Sequence, residues 1–258
     1  MKTIPCILPT VLGLVSACSE FESTAYLQNP IIDGTQSAFA QVVATISPKM
    51  MCSGTVIAPD LVLTAHHCVS SALGPEDCDP DWRPGSGAAL LFPVYKASDL
   101  AVDRNPSYQR DHLTVIALHT LEDFANRPIC GNDLSVLQLA KPLDIKPVPI
   151  RTSPPLVGET LTVIGYGLTD PDTISSSGHR MGRAGVKITK VGRTKHEDGR
   201  WRTVDGDFVV DIGPCPGDSG GPALDQDGKL IGVMSRGHES TCTEMIYTRV
   251  DHHATRLT

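Results

Sequence analysis

The stretch PCPGDSGGPAL, Pro214 to Leu224, sets a serine among glycines with an aspartate directly before it. An exposed nucleophile on a tight turn needs those residue types in that order. Gly217 lets a substrate carbonyl approach the backbone, so the N–H groups of Gly217 and Ser219 can form an oxyanion hole. Gly220 and Gly221 let the chain fold back where a Cβ would clash. A serine hydroxyl is a poor nucleophile until a base is held against it, and taken alone the stretch also describes a glycine-rich surface turn. TAHHC, positions 64 to 68, offers two candidate bases side by side. Adjacent side chains of an extended segment point to opposite faces, so one site can use one of the two rings.

The elements that must carry these groups are short apolar runs between turn signals. They span Val42 to Ile46, Gly54 to Ala58, Leu61 to Thr64, Leu113 to Leu118 and Val136 to Leu139. A second set spans Leu161 to Gly165, Val186 to Val191, Phe208 to Val210, Leu230 to Met234 and Ile246 to Val250. Many are β-branched with partial alternation, which predicts strands, and Asp225 to Lys229 (DQDGK) predicts a hairpin turn. Helical periodicity is confined to a short terminal segment from Asp251. The proline-rich stretch Lys141 to Pro155 lacks ladder donors and reads as a linker between two β halves. Thr173 to Gly185 reads as a polar surface loop.

The chain has 258 residues, 40% of them hydrophobic, enough for one large all-β domain or two small ones. Its 22 basic and 29 acidic residues give a formal net charge of −7 without a basic patch, which argues against a nucleic-acid partner. Residues 1–17 read as a secretory leader: Lys2 precedes an apolar stretch from Ile4 to Val15 that is too short to span a bilayer. Val15-Ser16-Ala17-Cys18 resembles a bacterial lipobox, with ordinary cleavage after Ala17 as the alternative. Lipid on Cys18 would be the only link to a membrane, and residues 18–30 read as a tether or propeptide. The other cysteines of the exported chain are Cys52, Cys68, Cys78, Cys130, Cys215 and Cys242, an even set that favours three disulfides. Without a C-x-x-C pair or an H-E-x-x-H helix, zinc is the weaker reading, and no metal or other cofactor is expected.

LTAHHC, GNDLSVLQL and GDSGGP follow one another in that order, and YTRV stands near the end. With IIDGT at Ile31 and VIGYG at Val163 to Gly167, the chain resembles the chymotrypsin/trypsin-like serine peptidases from Ile31 to Val250. The resemblance implies an all-β fold of two packed six-stranded antiparallel barrels with a short C-terminal helix, over residues 31–258. It implies His67, the residue before the cysteine, as the base, Asp133 as the buried acid that orients it, and Ser219 as the nucleophile. His66 then occupies a slot usually held by a small residue and reads as a histidine hydrogen-bonded under the site or at its rim. Asp103, Asp111 and Asp123 read as loop carboxylates. The resemblance pairs Cys52 with Cys68 and Cys215 with Cys242. Cys78 and Cys130, left over from that pattern, are expected to pair with each other.

Two departures bear on activity. Members of the family become active when cleavage frees an Ile-Val-Gly-Gly terminus that pairs with the aspartate before the nucleophile. Here Ile31-Ile32-Asp33-Gly34 fills that place with Asp218 as partner, yet Pro30 precedes the bond where arginine or lysine is usual. An activating protease of unusual specificity, trimming from upstream, or a permanent zymogen would each accommodate it. The substrate pocket is the other departure. Gly213 stands where trypsin-like members have aspartate, so a preference for arginine or lysine loses its electrostatic reason. Met245 stands where a small residue leaves the pocket open, so a narrow or shallow apolar pocket is expected. The wall segment often found as Ser-Trp-Gly is Ser235-Arg236-Gly237, in which Arg236 could attract acidic substrate residues or lie solvated at the surface. Glu239 or Glu244 could supply a negative charge. His238, His252 and His253 read as surface histidines.

The expected activity is that of an exported serine endopeptidase acting on protein or peptide substrates, held in a bacterial envelope as a lipoprotein or secreted freely. A non-catalytic binding protein on the same scaffold is the alternative from another class. An esterase of a different fold does not fit, because the serine lacks the G-x-S-x-G order of a nucleophile elbow.

Overall fold

A computed structural model of the protein describes residues 31, 34–70, 78, 94–104, 112–120, 129–167, 179–238 and 241–257. The leader, Cys18, Pro30, Ile32, Asp33, Asp111, Asp123, Glu239 and positions 173–178 of the polar loop lie outside the described residues. The first half contributes β1 (Thr35–Gln36), β2 (Val42–Ile46), β3 (Met51–Ala58), β4 (Leu61–Thr64), β5 (Ala101–Asp103), β6 (His112–Thr120) and β7 (Ser135–Leu139). The second contributes β8 (Thr160–Gly165), β9 (Met181–Val191), β10 (Thr194–Lys195), β11 (Trp201–Thr203), β12 (Asp207–Ile212), β13 (Pro222–Leu224), β14 (Leu230–His238) and β15 (Thr243–Arg249). After β15 one 3-10 turn (Asp251–His253) runs into α1 (Ala254–Leu257).

Six strands close into the first antiparallel barrel in the order β2-β3-β4-β7-β6-β5. The second barrel runs β8-β9-β12-β15-β14-β13, closed where Ala223 pairs with Val163, with β1 added at the β9 edge and β10-β11 forming a separate ribbon. Two facing barrels explain why the alternation in sequence is only partial. Successive side chains on a strand point to opposite faces, and here both faces are covered. Val43 of β2 lies inside the first barrel with Val56, Val62 and Leu137, while Val42 and Ala44 face the second half. There they join Leu63, Ala65, Leu134, Ile164, Tyr166 and Val233 in the layer between the barrels. The interior of the second barrel is built on Phe208, stacked on Tyr247 at 5.2 Å between ring centres. Gly232 makes room for it, since a Cβ there would lie 2.7 Å from Phe208 Cζ. Phe208→Ala is expected to remove about 3–5 kcal/mol of stability, read as a fall in the denaturant midpoint at unchanged slope.

Several expectations are corrected. Asp103 is no loop carboxylate: it ends β5, fully buried and paired with Ala44. Three-residue strands leave no periodicity to read, which also hid β13, whose Pro222 is tolerated at the first strand position. Met181–Gly185 belongs to β9 rather than to a loop; Gly182 and Met181 pair with Ile164 and Gly165. Tertiary pairing overrides the low strand preference of its glycines. His253 is buried, its Nε2 donating to Gly131 O at 2.9 Å, because the terminal segment docks on the loop that enters β7. His252 and His238 are exposed.

Candidate active site

The candidate base and acid, His67 and Asp133, come from the first barrel. β4 delivers the chain into a 3-10 turn, His66–Val69, closed by Cys68 N–H to Ala65 O at 3.2 Å and bolted to β3 by the Cys52–Cys68 disulfide. Asp133 stands just before β7, which pairs with β4 along Thr64 and Ser135. Its carboxylate is fully buried and takes three hydrogen bonds. His67 Nδ1 lies 2.7 Å from Oδ2, His67 N–H donates to Oδ1 at 2.9 Å, and Ser235 Oγ–H donates to Oδ2 at 2.6 Å. Burial opposes the charge, but the His67 charge and these hydrogen bonds outweigh it and hold Asp133 down at about 2. The ring is therefore gripped at Nδ1, which directs Nε2 away from the acid. His66 points elsewhere: its Nδ1 meets Ser135 Oγ at 3.0 Å, and burial pushes its pKa down to about 4. It is neutral at pH 7.

The loop presenting Asp133 is pinned from several sides. Gly131, at φ +70°, packs against Gly206, and its N–H donates to Asp207 Oδ1 at 2.9 Å. Its carbonyl takes His253, and Cys130 is joined to Cys78. The expected pairing of those cysteines is the observed one, as is that of Cys215 with Cys242.

Ser219 comes from the second barrel, on the turn between β12 and β13. Asp218 N–H donates to Cys215 O at 3.0 Å and Gly220 N–H to Met234 O at 2.8 Å, while Ser219 itself stays half-buried. The turn is packed onto the strands that carry His67. Ser53 N–H donates to Ser219 O at 2.7 Å, one residue from Cys52, whose disulfide reaches the neighbour of His67. Gly220, at φ +80°, is obligatory here, because a Cβ would overlap Ser53 O and Thr64 Oγ1. Gly217, at φ +94°, places the two proposed oxyanion donors on one turn, with its own carbonyl 3.4 Å from Ser53 Oγ. Motif reading alone did not single out Ser53, which also accepts Tyr166 N–H at 2.9 Å and so clamps one barrel to the other.

Behind Ser219, Asp218 is buried and accepts N–H bonds from Cys215 (2.9 Å), Gly167 (2.8 Å) and Ile31. Gly165 and Gly167 shape this cradle, since a Cβ on either would run into the carboxylate. Ile31 is fully buried at φ +58°, a strained value for a β-branched residue. Burial raises the Asp218 pKa to about 6, with the three amides lowering it only in part. No cation faces it among the described residues.

The residues expected to line the substrate pocket are placed differently from one another. Gly213, at φ +149°, is buried near Val163 and Val186. Met245 is buried with the second-barrel core, its Sδ and Cε over the Cα of Gly237, where a Cβ could not fit. Ser235 faces Asp133, not a pocket. Arg236 neither lies solvated nor points at substrate: its guanidinium turns inward to fully buried Asp207 at 2.8 Å, the cation that, among the described residues, lies within bonding distance of that carboxylate. Glu244 is already engaged by Arg202 at 2.6 Å and Lys190 at 3.2 Å. Cys52, His67 and Cys68 lie close enough to suggest a metal cluster, but the two sulfurs are spent on their disulfide and offer no thiolate.

Residues 31–256 match the sequence profile of the trypsin family. Curated relatives include Trypsin iota of Drosophila melanogaster, 26% identical over 88% of this chain and 84% of that protein. Another is Cercarial protease of Schistosoma mansoni, 28% identical over 88% and 86%. Among solved structures, a scabies mite inactivated protease paralogue aligns with TM-score 0.63 at 18% identity, covering 87% of this chain and 94% of that one. A Glu endopeptidase aligns with TM-score 0.64 at 16% identity, covering 87% and 94%. At that identity the two structures speak for the fold alone. The chain belongs to the trypsin family of serine peptidases.

Proposed function

We propose that this chain is an exported serine endopeptidase that hydrolyses peptide bonds through an acyl-enzyme on Ser219. The observation carrying this reading is the grip of Asp133 on His67 Nδ1 at 2.7 Å, with the Ser219 turn packed against the same strand ends. Ser219 Oγ attacks the scissile carbonyl and its proton passes to His67 Nε2. The N–H groups of Gly217 and Ser219 take the developing oxyanion. His67 then returns the proton to the leaving amine, and water repeats the sequence on the ester, with Asp133 ionised throughout. Uncharged Gly213 and the Met245 side chain over Gly237 favour a small or narrow apolar residue at the scissile position. Export rests on the leader and on three disulfides, which persist in oxidising compartments; lipid on Cys18 or free release would each satisfy it.

A permanent zymogen that works by binding is the second reading, favoured by one observation: buried Asp218 meets amides and no cation among the described residues. A fluorophosphonate probe separates the two. Labelling at Ser219 that disappears in Ser219→Ala and in His67→Ala supports the peptidase. An unlabelled chain, even after trimming to a free Ile31, favours the binding role instead. N-terminal sequencing of the labelled protein then reports whether the Pro30–Ile31 bond is cut.

A further inference from the structure

We propose that Arg236 is a positioning residue for the catalytic acid: its guanidinium polarises the Ser235 hydroxyl and thereby sets how Asp133 holds His67. This rests on the triad reading above. Arg236 follows Ser235 on β14, and its side chain is only 14% exposed. Nη1 donates to Ser235 Oγ at 3.3 Å. Nη2 donates to Asp207 Oδ2 at 2.8 Å and to Arg202 O at 3.1 Å, with Cys78 Sγ also 3.0 Å away. A hydroxyl has one proton, and that of Ser235 goes to Asp133 Oδ2 at 2.6 Å, so its oxygen is left to accept from Arg236. The result is a continuous line, Asp207–Arg236–Ser235–Asp133–His67. Asp207 closes it from the other side, since its Oδ1 takes Gly131 N–H, two residues before Asp133.

Donation from a cation makes the Ser235 O–H a stronger donor, and chains of hydrogen bonds polarise one another in a low-dielectric interior. Charge is drawn from Asp133 toward Ser235. The imidazolium beside it is then less favoured, and His67 stays unprotonated at lower pH, as a general base must. The other groups around this line leave that direction unchanged. His66 is neutral at pH 7, Asp207 is paired with Arg236 itself, and His253 is occupied by Gly131 O. The Arg202 side chain turns away to Glu244, together with Lys190 and His238.

The test uses the full chain with two readouts, the acid limb of kcat/KM and an NMR titration of the His67 ring. Arg236→Lys keeps a cation for Asp207 but lacks the fork needed to reach Ser235 as well. His67 is expected to titrate about half a unit to one unit higher. In a Ser235→Ala background the same change is expected to move it by less than about 0.2 unit, because the relay has already been cut. Should Arg236→Lys fail to fold, Arg236→Met with Asp207→Asn removes both charges together and is expected to show the same rise. An unchanged His67 titration overturns the proposal, as does a shift of equal size with and without the Ser235 hydroxyl. A parent chain that never turns over substrate strikes the triad reading instead, while the ring titration still decides the role of Arg236.

Discussion

Asp133→Asn is expected to lower kcat by about four orders of magnitude while leaving the protein folded, a size carried over from the trypsin family. The cause is the direction of one proton. Asp133 accepts from His67 Nδ1, from His67 N–H and from Ser235 Oγ, using both oxygens. A carboxamide has one accepting oxygen, so its NH2 must face a group that now donates. If it faces Nδ1, the ring carries its proton on Nε2, the atom that has to receive the proton of Ser219. The ionised partner of the imidazolium is lost at the same time. Side-chain volume is nearly conserved, so circular dichroism should be unchanged while single-turnover acylation collapses. A variant with normal turnover would mean that another carboxylate orients His67. Because Asp133 stays ionised down to about 2, its own contribution to stability is present above the ordinary carboxylate range and lost only as pH falls through that value.

Between pH 4 and 7 the intact chain is expected to carry two large opposed linkages. Asp218 titrates near 3.8 when unfolded and near 6 when folded, so the folded state binds the extra proton in that window. Its stabilising contribution is complete below 3.8 and is lost as pH rises through 6, amounting to about 3 kcal/mol. His66 titrates near 6.5 unfolded and near 4 folded, so there the unfolded state binds the extra proton. Its contribution is complete above 6.5 and is lost as pH falls through 4, again about 3 kcal/mol. The two oppose each other, so urea unfolding of the Ser219→Ala chain should give a shallower pH profile than a chain lacking either group. Asp218→Asn should leave stability rising with pH, and His66→Ala should leave it falling. Cutting the Pro30–Ile31 bond delivers an ammonium to Asp218 and should abolish the Asp218 limb, so that the cut chain is the more stable form at pH 8. A profile that His66→Ala does not alter would show that this ring is solvated in the folded protein.

The motifs around His67, Asp133 and Ser219 were legible because each is a contiguous run whose residue types serve a local need: a disulfide beside the histidine, a strand after the acid, glycines around the nucleophile. The long strands were legible for the same reason, as β-branched runs such as Val42–Ile46 and Leu61–Thr64 have their preferences written within a few residues. What escaped depends on neighbours distant in the chain. Asp103 looks like any polar loop residue until β5 closes the barrel against β2. Arg236 looks like a surface cation, and nothing in the run that opens β12 marks Asp207 as its partner. Ser235 was expected by position in the substrate wall, and its hydroxyl donates to Asp133 instead.

The amino-acid order alone marked the candidate reacting groups and the longer strands, whose patterning acts over short distances, while its resemblance to the serine peptidases implied the disulfide framework and the two-barrel class. Only the tertiary structure decided which charges face each other: Asp218 with amides in place of a cation, Arg236 with Asp207 in place of solvent. Electrostatic energy depends on separation in space and on burial, and neither is encoded at the position where the charge stands.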